Sequence, residues 1–334
     1  MKSHPFNPKY FQVLLALFLI NVLSAQTEFS GFFDIYNSAQ FEIEEYSGFQ
    51  INQFELDISH SYKESLSLGT AIAFNPNMGQ FELASAYLHY SIFNKAIMHP
   101  RRKEERNHTA IMIGKFDVPF GLDYLSLASP DRPTFYQPLP VEKSIGAWND
   151  MGINIHVLAD QLKGDFTIVN GFNEGVNLSA KIEYEIFQKL NMGISHASDF
   201  SSFKQRNNWA NGISFLADID IVQIKSEYIW ARGLLHGEQD TLNANGTNHG
   251  FYIQALTELE PIIGLPYFVT ARYGIWNSSK YYKEEKPGDR QDRFTFTIGY
   301  HICSECSVRS DIQSDQFGKN ERSTQATIQL VVGF

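Results

Sequence analysis

The sequence has little cysteine and no long apolar run beyond its first 25 residues. With two Cys in 334 residues, it cannot be a disulfide-rich secreted scaffold. A transmembrane helix needs about 18 or more consecutive apolar residues, and no segment after Ala25 has that composition. Basic residues are also in the minority, 27 Lys and Arg against 37 Asp and Glu, so binding to nucleic acid is not expected. These shortages argue against a disulfide scaffold, a helical membrane protein and a nucleic-acid-binding protein.

The one dense apolar run lies at the amino end and is typical of a secretory signal peptide. It spans Phe11 to Leu23, follows two lysines and precedes the small residues Ser24 and Ala25. A basic start, an apolar segment of about 7–15 residues and a small-residue cleavage site define such a leader. We therefore predict a signal peptide at residues 1–25 and an exported domain at residues 26–334.

Beyond the leader, apolar and polar residues alternate along the chain. From Gln325 to Phe334 every even-numbered residue is apolar, and three of the five odd-numbered residues are polar. The same separation appears over residues 178–186 and 293–302. Because successive side chains of a strand point to opposite faces, this period of two predicts β-strands with one apolar face.

The length and number of these segments predict that the apolar face of the strands contacts a lipid bilayer. Alternating segments of about ten residues fit strands that cross a bilayer at a tilt, and bacterial barrels have an even number of them. We predict an all-β fold, a transmembrane antiparallel β-barrel of about sixteen strands. The strands are expected to begin near Thr27, Gln50, Leu66, Gln80, Thr109, Trp148, Gly164, Asn177, Leu190, Trp209, Ile221, Gly250, Pro266, Asp292, Ser307 and Ser323.

The third external connection, Phe116 to Ala147, is the longest and does not have the composition of a free loop. It contains five prolines, which fix φ, and several aromatic residues that favour burial. We expect it to fold into the lumen and narrow the pore. One periplasmic connection, Asn94 to His108, is unexpectedly long and basic; a solvated turn is the favoured interpretation and a positively charged vestibule is the alternative.

Four short blocks resemble outer-membrane porins of the phosphate-selective porin family and related β-barrel porin families. They are Gly114 to Gly121, Ser129 to Pro133, Val141 to Lys143 and Gly146 to Gly152. The resemblance implies a diffusion channel, without enzymatic activity or cofactor, in the outer membrane of a Gram-negative bacterium. It also implies a homotrimer, contact with outer-membrane lipid, and a terminal Phe334 that serves as an assembly signal for the barrel assembly machinery.

The predicted lumen carries charges of both signs. Because lumenal charge sets the sign of the permeant ion, a mixed lumen favours a general or weakly selective pore for small polar solutes or ions. A preference for anions or phosphate is implied only by the resemblance. Opposite charges could also pair across the lumen. The residues predicted to line the pore or its constriction are Lys115, Asp117, Asp123, Asp131, Arg132, Glu142, Lys143, Lys225, Arg272 and Arg293. Alternation also points Lys181, Glu55, Asp57, Glu183, Glu185 and Glu227 inward.

Cys303 and Cys306 fall on a predicted periplasmic turn. An exported compartment favours a disulfide between them. A metal site is the weaker interpretation, because only His301 and Glu305 lie close in sequence and a site normally has four ligands. No metal is therefore expected.

Two other functional classes remain as alternatives. A barrel hydrolase is suggested by Gly193 to Ala197, which resembles a nucleophile elbow but lacks its last glycine. Ser195 and His196 should point to opposite faces of a strand and therefore cannot act as a nucleophile–base pair. The other alternative is a non-conducting structural or adhesive barrel.

Overall fold

A computed structural model describes residues 27–42, 45–46, 48–63, 65–76, 79–93, 107–171, 175–187, 189–199, 208–232, 247–278, 289–318 and 321–334. The predicted signal peptide, residues 1–25, and most of the basic connection predicted at Asn94 to His108 lie outside this range. No helix in the described part of the chain is long and apolar enough to cross a membrane.

Sixteen strands form one antiparallel sheet that closes on itself. A two-residue strand, Glu45–Tyr46, adds to the external end of the first strand. The barrel strands are β1 (Thr27–Gln40), β2 (Gln50–Lys63), β3 (Leu66–Asn75), β4 (Gln80–Phe93), β5 (His108–Asp117), β6 (Asn149–Ala159), β7 (Leu162–Val169), β8 (Asn177–Phe187), β9 (Leu190–Asp199), β10 (Trp209–Ile219), β11 (Val222–Arg232), β12 (Thr247–Glu258), β13 (Tyr267–Ser278), β14 (Asp289–Cys303), β15 (Cys306–Phe317) and β16 (Glu321–Gly333). Short helices α1 (Leu139–Glu142) and α2 (Glu260–Ile263) lie between strands.

The first and last strands close the barrel. Each strand pairs with its neighbours in sequence, and β1 pairs with both β2 and β16. The terminal residue supports this closure, because Gly31 and Phe334 exchange two backbone hydrogen bonds of 3.0 Å. Closure removes the unpaired edges that would otherwise be exposed.

The two faces of the barrel differ as the alternation predicts. On β16, Ile328 and Leu330 are exposed on the outer face, whereas Thr327 and Gln329 are buried inside. An apolar outer face and a polar interior are what a membrane-spanning barrel requires. The predicted fold is therefore confirmed, and every predicted strand start lies within three residues of the observed one.

Candidate functional site: a loop folded into the lumen

The third external connection, residues 118–148 and named L3 here, folds back into the barrel as predicted. Where it leaves β5 and returns to β6, the Val118 amide donates to the Trp148 carbonyl oxygen at 2.8 Å. L3 contains α1 and two 3-10 turns, Asp123–Ser126 and Ser129–Asp131. Its prolines reduce the entropy lost on ordering, which favours a single conformation.

Apolar side chains hold both ends of L3 against the inner wall. Burying one large apolar side chain contributes about 1.5–3 kcal/mol, so the cluster favours the docked loop. Its members from β5 and L3 are Phe116, Val118, Phe120, Val141, Ile145 and Trp148, and its members from the wall are Val169, Ala197, Ala210, Ile229, Ala231 and Tyr252.

Asp123 is the central polar anchor of L3. Its carboxylate accepts hydrogen bonds from Lys225 Nζ and from the Tyr252 hydroxyl, each at 2.6 Å. All three side chains are buried. A buried charge is costly unless it is paired. In the docked loop, Asp123 and Lys225 each neutralise the buried charge of the other.

Two serines on β8 and β9 hold the beginning of L3. The Ser179 hydroxyl donates to the Pro119 carbonyl oxygen at 2.9 Å, and the Gly121 amide donates to Ser195 Oγ at 3.0 Å. Both serines face inward and are nearly fully buried. They satisfy backbone groups of the loop that would otherwise be buried without a partner.

Arg272 on β13 holds the middle of L3. Its Nη1 donates to Thr134 Oγ1 and its Nη2 donates to the Tyr136 carbonyl oxygen, both at 2.9 Å. Next to it, the Phe135 amide donates to Asp311 Oδ1 at 3.1 Å. The planar guanidinium suits this divergent set of oxygen acceptors.

Arg293 and Arg309 extend these contacts along β14 and β15. Arg293 forms ion pairs with Asp315, at 2.7 Å, and with Glu142 of L3, and Arg309 donates to the Arg132 carbonyl oxygen. Burial acts to raise the pKa of Glu142, but the charge and hydrogen bond of Arg293 hold this pKa below its usual value. Burial lowers the pKa of Arg132 to about 10, so Arg132 stays charged at neutral pH.

The far part of L3 reaches β1 and β2. The Ser129 amide and hydroxyl donate to Gln53 Oε1 at 2.8 and 2.7 Å. The Phe135 ring packs on Tyr36 with ring centroids 4.8 Å apart. L3 therefore follows the inner wall from β8 round to β2.

Lumen-facing side chains of β2 to β5 are less covered. Glu55, Asp57, Tyr87 and Met112 face inward and remain partly exposed. Glu55 and Asp57 interact electrostatically with each other and with Asp131 of L3. Within the described part of the chain, neither Glu55 nor Asp57 forms an ion pair with a lysine or arginine. The accessible side of the lumen is therefore acidic.

The structure brings together most of the predicted pore residues. Asp123 meets Lys225, Glu142 meets Arg293, and Arg272 bonds to L3, as described above. Asp131 and Lys143 lie in L3, and Lys143 is 3.4 Å from Glu142. Strand register also directs inward Lys181, Glu55, Asp57, Glu183, Glu185 and Glu227.

The prediction that Lys115 points into the lumen is wrong. Its register partner is Met151, which is exposed on the outer face, and its Nζ donates to the Leu83 carbonyl oxygen at 2.5 Å. A lysine stem can lie on apolar surface while its ammonium reaches a polar group, so the polarity of this residue did not indicate its face. Asp117, at the end of β5, accepts a hydrogen bond from Asn149 Nδ2 at 2.9 Å.

Sequence reasoning missed several side chains that hold L3. Alternation places all of them on lumen-facing positions, which is the signal that could have identified them. Their partners in L3, however, are far away in sequence and cannot be inferred from it. The missed residues are Gln53, Ser179, Tyr252, Arg309 and Asp311.

Ser195, the candidate nucleophile, binds L3, because its Oγ accepts the hydrogen bond from the Gly121 amide. His196 lies on the opposite face of β9, where its ring nitrogen is 2.8 Å from Asn211 Oδ1. Among the described residues, no three His, Cys, Asp or Glu side chains are grouped as a metal site requires. The geometry around Ser195 gives no support to the hydrolase alternative.

Replacing Gly121 by alanine should weaken the docking of L3. Gly121 has φ +63°, and a Cβ there would overlap the buried Glu227 carboxylate. The left-handed backbone alone costs an L-residue about 1–2 kcal/mol. We expect faster protease cleavage within L3 of the folded barrel. Gly264→Ala is the matched control, because Gly264 has φ +68° and nothing within 4 Å of its Cβ position. Unchanged cleavage in Gly121→Ala would contradict the packing described here.

Cys303 and Cys306 face each other across the turn between β14 and β15, and both are free thiols in the structure. The disulfide stays a prediction. We expect the exported protein to bind no thiol reagent until a reductant is added, and then to bind two equivalents. Labelling of the untreated protein, read by intact mass, would show that the thiols are free.

No protein-family model and no curated protein sequence matches the chain. Solved structures do match. An anion-selective porin from Comamonas acidovorans superposes with a TM-score of 0.65 at 8% identity, over 92% of this chain and 99% of that one. The fold is that of outer-membrane porins.

Two further structures have the same fold. OmpT of Vibrio cholerae in a trimer form has a TM-score of 0.63 at 12% identity, over 92% of this chain and 99% of that chain. OccK2 of Pseudomonas aeruginosa, in complex with glucuronate, has a TM-score of 0.53 at 10% identity, over 92% and 98%. These neighbours agree with the predicted location in the outer membrane of a Gram-negative bacterium.

Proposed function

We propose that the protein is a porin, a passive diffusion channel through which small polar solutes and ions cross the outer membrane without chemistry. The observation that carries this proposal is the closed barrel whose polar lumen is narrowed by L3. L3 follows the wall from β8 to β2, and the partly exposed side chains of β2 to β5 face it. This arrangement supports a water-filled passage between L3 and that wall.

The proposal includes the absence of enzymatic activity. The strongest catalytic candidate, Ser195, holds the L3 backbone, and its neighbour His196 lies on the opposite face of β9. A mature domain at residues 26–334, assembly through Phe334 by the barrel assembly machinery, and a homotrimer are parts of the same proposal. A structural neighbour, an outer membrane protein in trimer form, supports the last of these.

The charges of the passage do not favour a strong preference for anions or phosphate. Lys225, Arg272 and Arg293 are all buried against L3, and Lys181 pairs with Glu183 at 3.0 Å. Bases that are already engaged and shielded contribute little to the field that a passing ion meets. We propose a general pore for small polar solutes with a modest preference for cations.

Conductance in a planar bilayer tests the proposed function. Purified protein should insert with stepwise current increases, and the same preparation denatured by heat should give none. A barrel that shows heat-modifiable migration, and is therefore folded, but never conducts would contradict the proposal and favour the structural or adhesive alternative.

A further inference from the structure

A polar groove runs along the outer face of β13 to β16 at their external ends. It encloses about 630 Å³ and is open to the surroundings. Register pairs Phe294 with Tyr273 on one side and with Ser314 on the other, while the adjacent Arg293 is buried in the lumen. The groove therefore belongs to the lipid-facing surface and not to the pore.

The groove lies where the outer surface changes from apolar to polar. Towards the periplasm, Ile298, Ile312 and Ile328 are 47%, 50% and 60% exposed. Tyr273 and Phe294 come next, and charged side chains follow at the external end. Aromatic residues mark the membrane–water interface of such barrels, so the charged part of the groove lies at the level of the lipid headgroups.

Two guanidinium groups face this part of the groove. Arg290 is held by Asp292, with Nε to Oδ2 at 2.9 Å and Nη2 to Oδ1 at 2.7 Å. The Tyr273 hydroxyl donates to the same carboxylate at 2.6 Å. Arg322 donates from Nε to Ser314 Oγ at 3.0 Å and forms no salt bridge among the described residues.

The remaining charge of the groove is basic. The negative charge of Asp292 offsets the positive charge of Arg290, so the positive charge of Arg322 remains. Glu42 interacts electrostatically with Arg322 but does not line the groove, and its carboxylate accepts a hydrogen bond from the Thr324 amide at 2.7 Å. Guanidinium groups bind phosphate oxygens in a bidentate manner, and the hydroxyl of Ser314 offers a further polar contact.

We propose that this groove binds a phosphate-bearing lipid headgroup of the outer leaflet. Arg322 would bind the phosphate, Arg290 would contribute from Nη1, the nitrogen that does not bond Asp292, and the acyl chains would lie on the isoleucine surface below. The combination of basic groups above an apolar surface matches an amphipathic ligand better than it matches a free anion. The proposal concerns the lipid-facing surface and does not depend on conduction.

Lipid retention in detergent tests the site. Wild-type protein in dodecyl maltoside would be titrated with a diphosphorylated lipid A, and bound lipid would be counted by native mass spectrometry. We expect Arg322→Ala to weaken binding about fivefold, as the loss of one basic residue near an anionic headgroup does, and Arg290→Ala to weaken it less, because Asp292 already offsets the charge of Arg290. Arg322→Lys, which keeps the charge, should retain more affinity than Arg322→Ala.

The controls separate the lipid from other occupants. Lys189→Ala removes an exposed charge at the periplasmic end and should leave binding unchanged, and dephosphorylated lipid should bind weakly to every variant. Equal binding by wild type and Arg322→Ala would overturn the proposal. If millimolar inorganic phosphate competes completely with the lipid, the groove is a simple anion site and the proposal is wrong. If Arg322→Ala loses an oligomer but keeps its lipid, the groove is a contact between copies of the chain and the proposal is again wrong.

Discussion

Replacing Asp123 by alanine should increase single-channel conductance and make the current noisier. The substitution leaves Lys225 and the Tyr252 hydroxyl buried without their acceptor. Removing one partner of a buried ion pair typically costs about 3–5 kcal/mol, and this cost falls on the docked conformation of L3. Release of L3 lets the Lys225 ammonium reach water, and the passage widens.

The same loop offers a matched control. Asp131→Asn also removes one carboxylate from L3, but Asp131 is exposed, so the mean conductance should change little. Heat-modifiable migration establishes that both barrels are folded. Deleting residues 119–140 should give the highest conductance of the series, because it removes the loop from the lumen. If this deletion leaves conductance unchanged in a folded barrel, L3 does not narrow the pore.

In a tenfold KCl gradient, the wild-type channel should give a reversal potential on the cation-selective side of zero. An ideally selective pore for a monovalent ion reaches about 59 mV, and we expect part of that value. The double variant Glu55→Gln, Asp57→Asn should move the reversal potential towards zero, because it removes two partly exposed inward carboxyl groups that have no basic partner among the described residues.

Asp220→Asn serves as the charge-matched comparison. Asp220 lies in a periplasmic turn beside Lys189 and is 88% exposed, so its loss should leave the reversal potential unchanged. A wild-type potential on the anion-selective side would contradict the charge distribution described here and would support the preference that the family resemblance implies. A protein without any conductance would instead contradict the porin function itself.

The polar contacts of L3 fix its position more than they stabilise the barrel. Asp123 with Lys225, and Glu142 with Arg293, each join the loop to one place on the wall. Desolvation offsets much of the attraction in such buried pairs. The apolar cluster around Phe120 supplies most of the favourable free energy, and the charged pairs select one docked arrangement.

The sequence alone determined the barrel. Side chains alternate along a strand with a period of two, and a β-sheet can span a membrane only if it is closed and its outer face is apolar. Strand number, strand starts and the lumen-facing positions of Lys225, Arg272 and Arg293 therefore follow from local pattern. The prolines and aromatic residues of L3 likewise predicted a loop that folds inward.

Only the tertiary structure decided which lumenal charges are available to a passing ion. The partners of Asp123 lie more than a hundred residues away in the chain, and no local pattern encodes that contact. Lys115 shows the same limit, because a long polar side chain at a strand end can lie on either face. The outer groove around Arg322 likewise exists only because four strands bring their external ends together in the closed sheet.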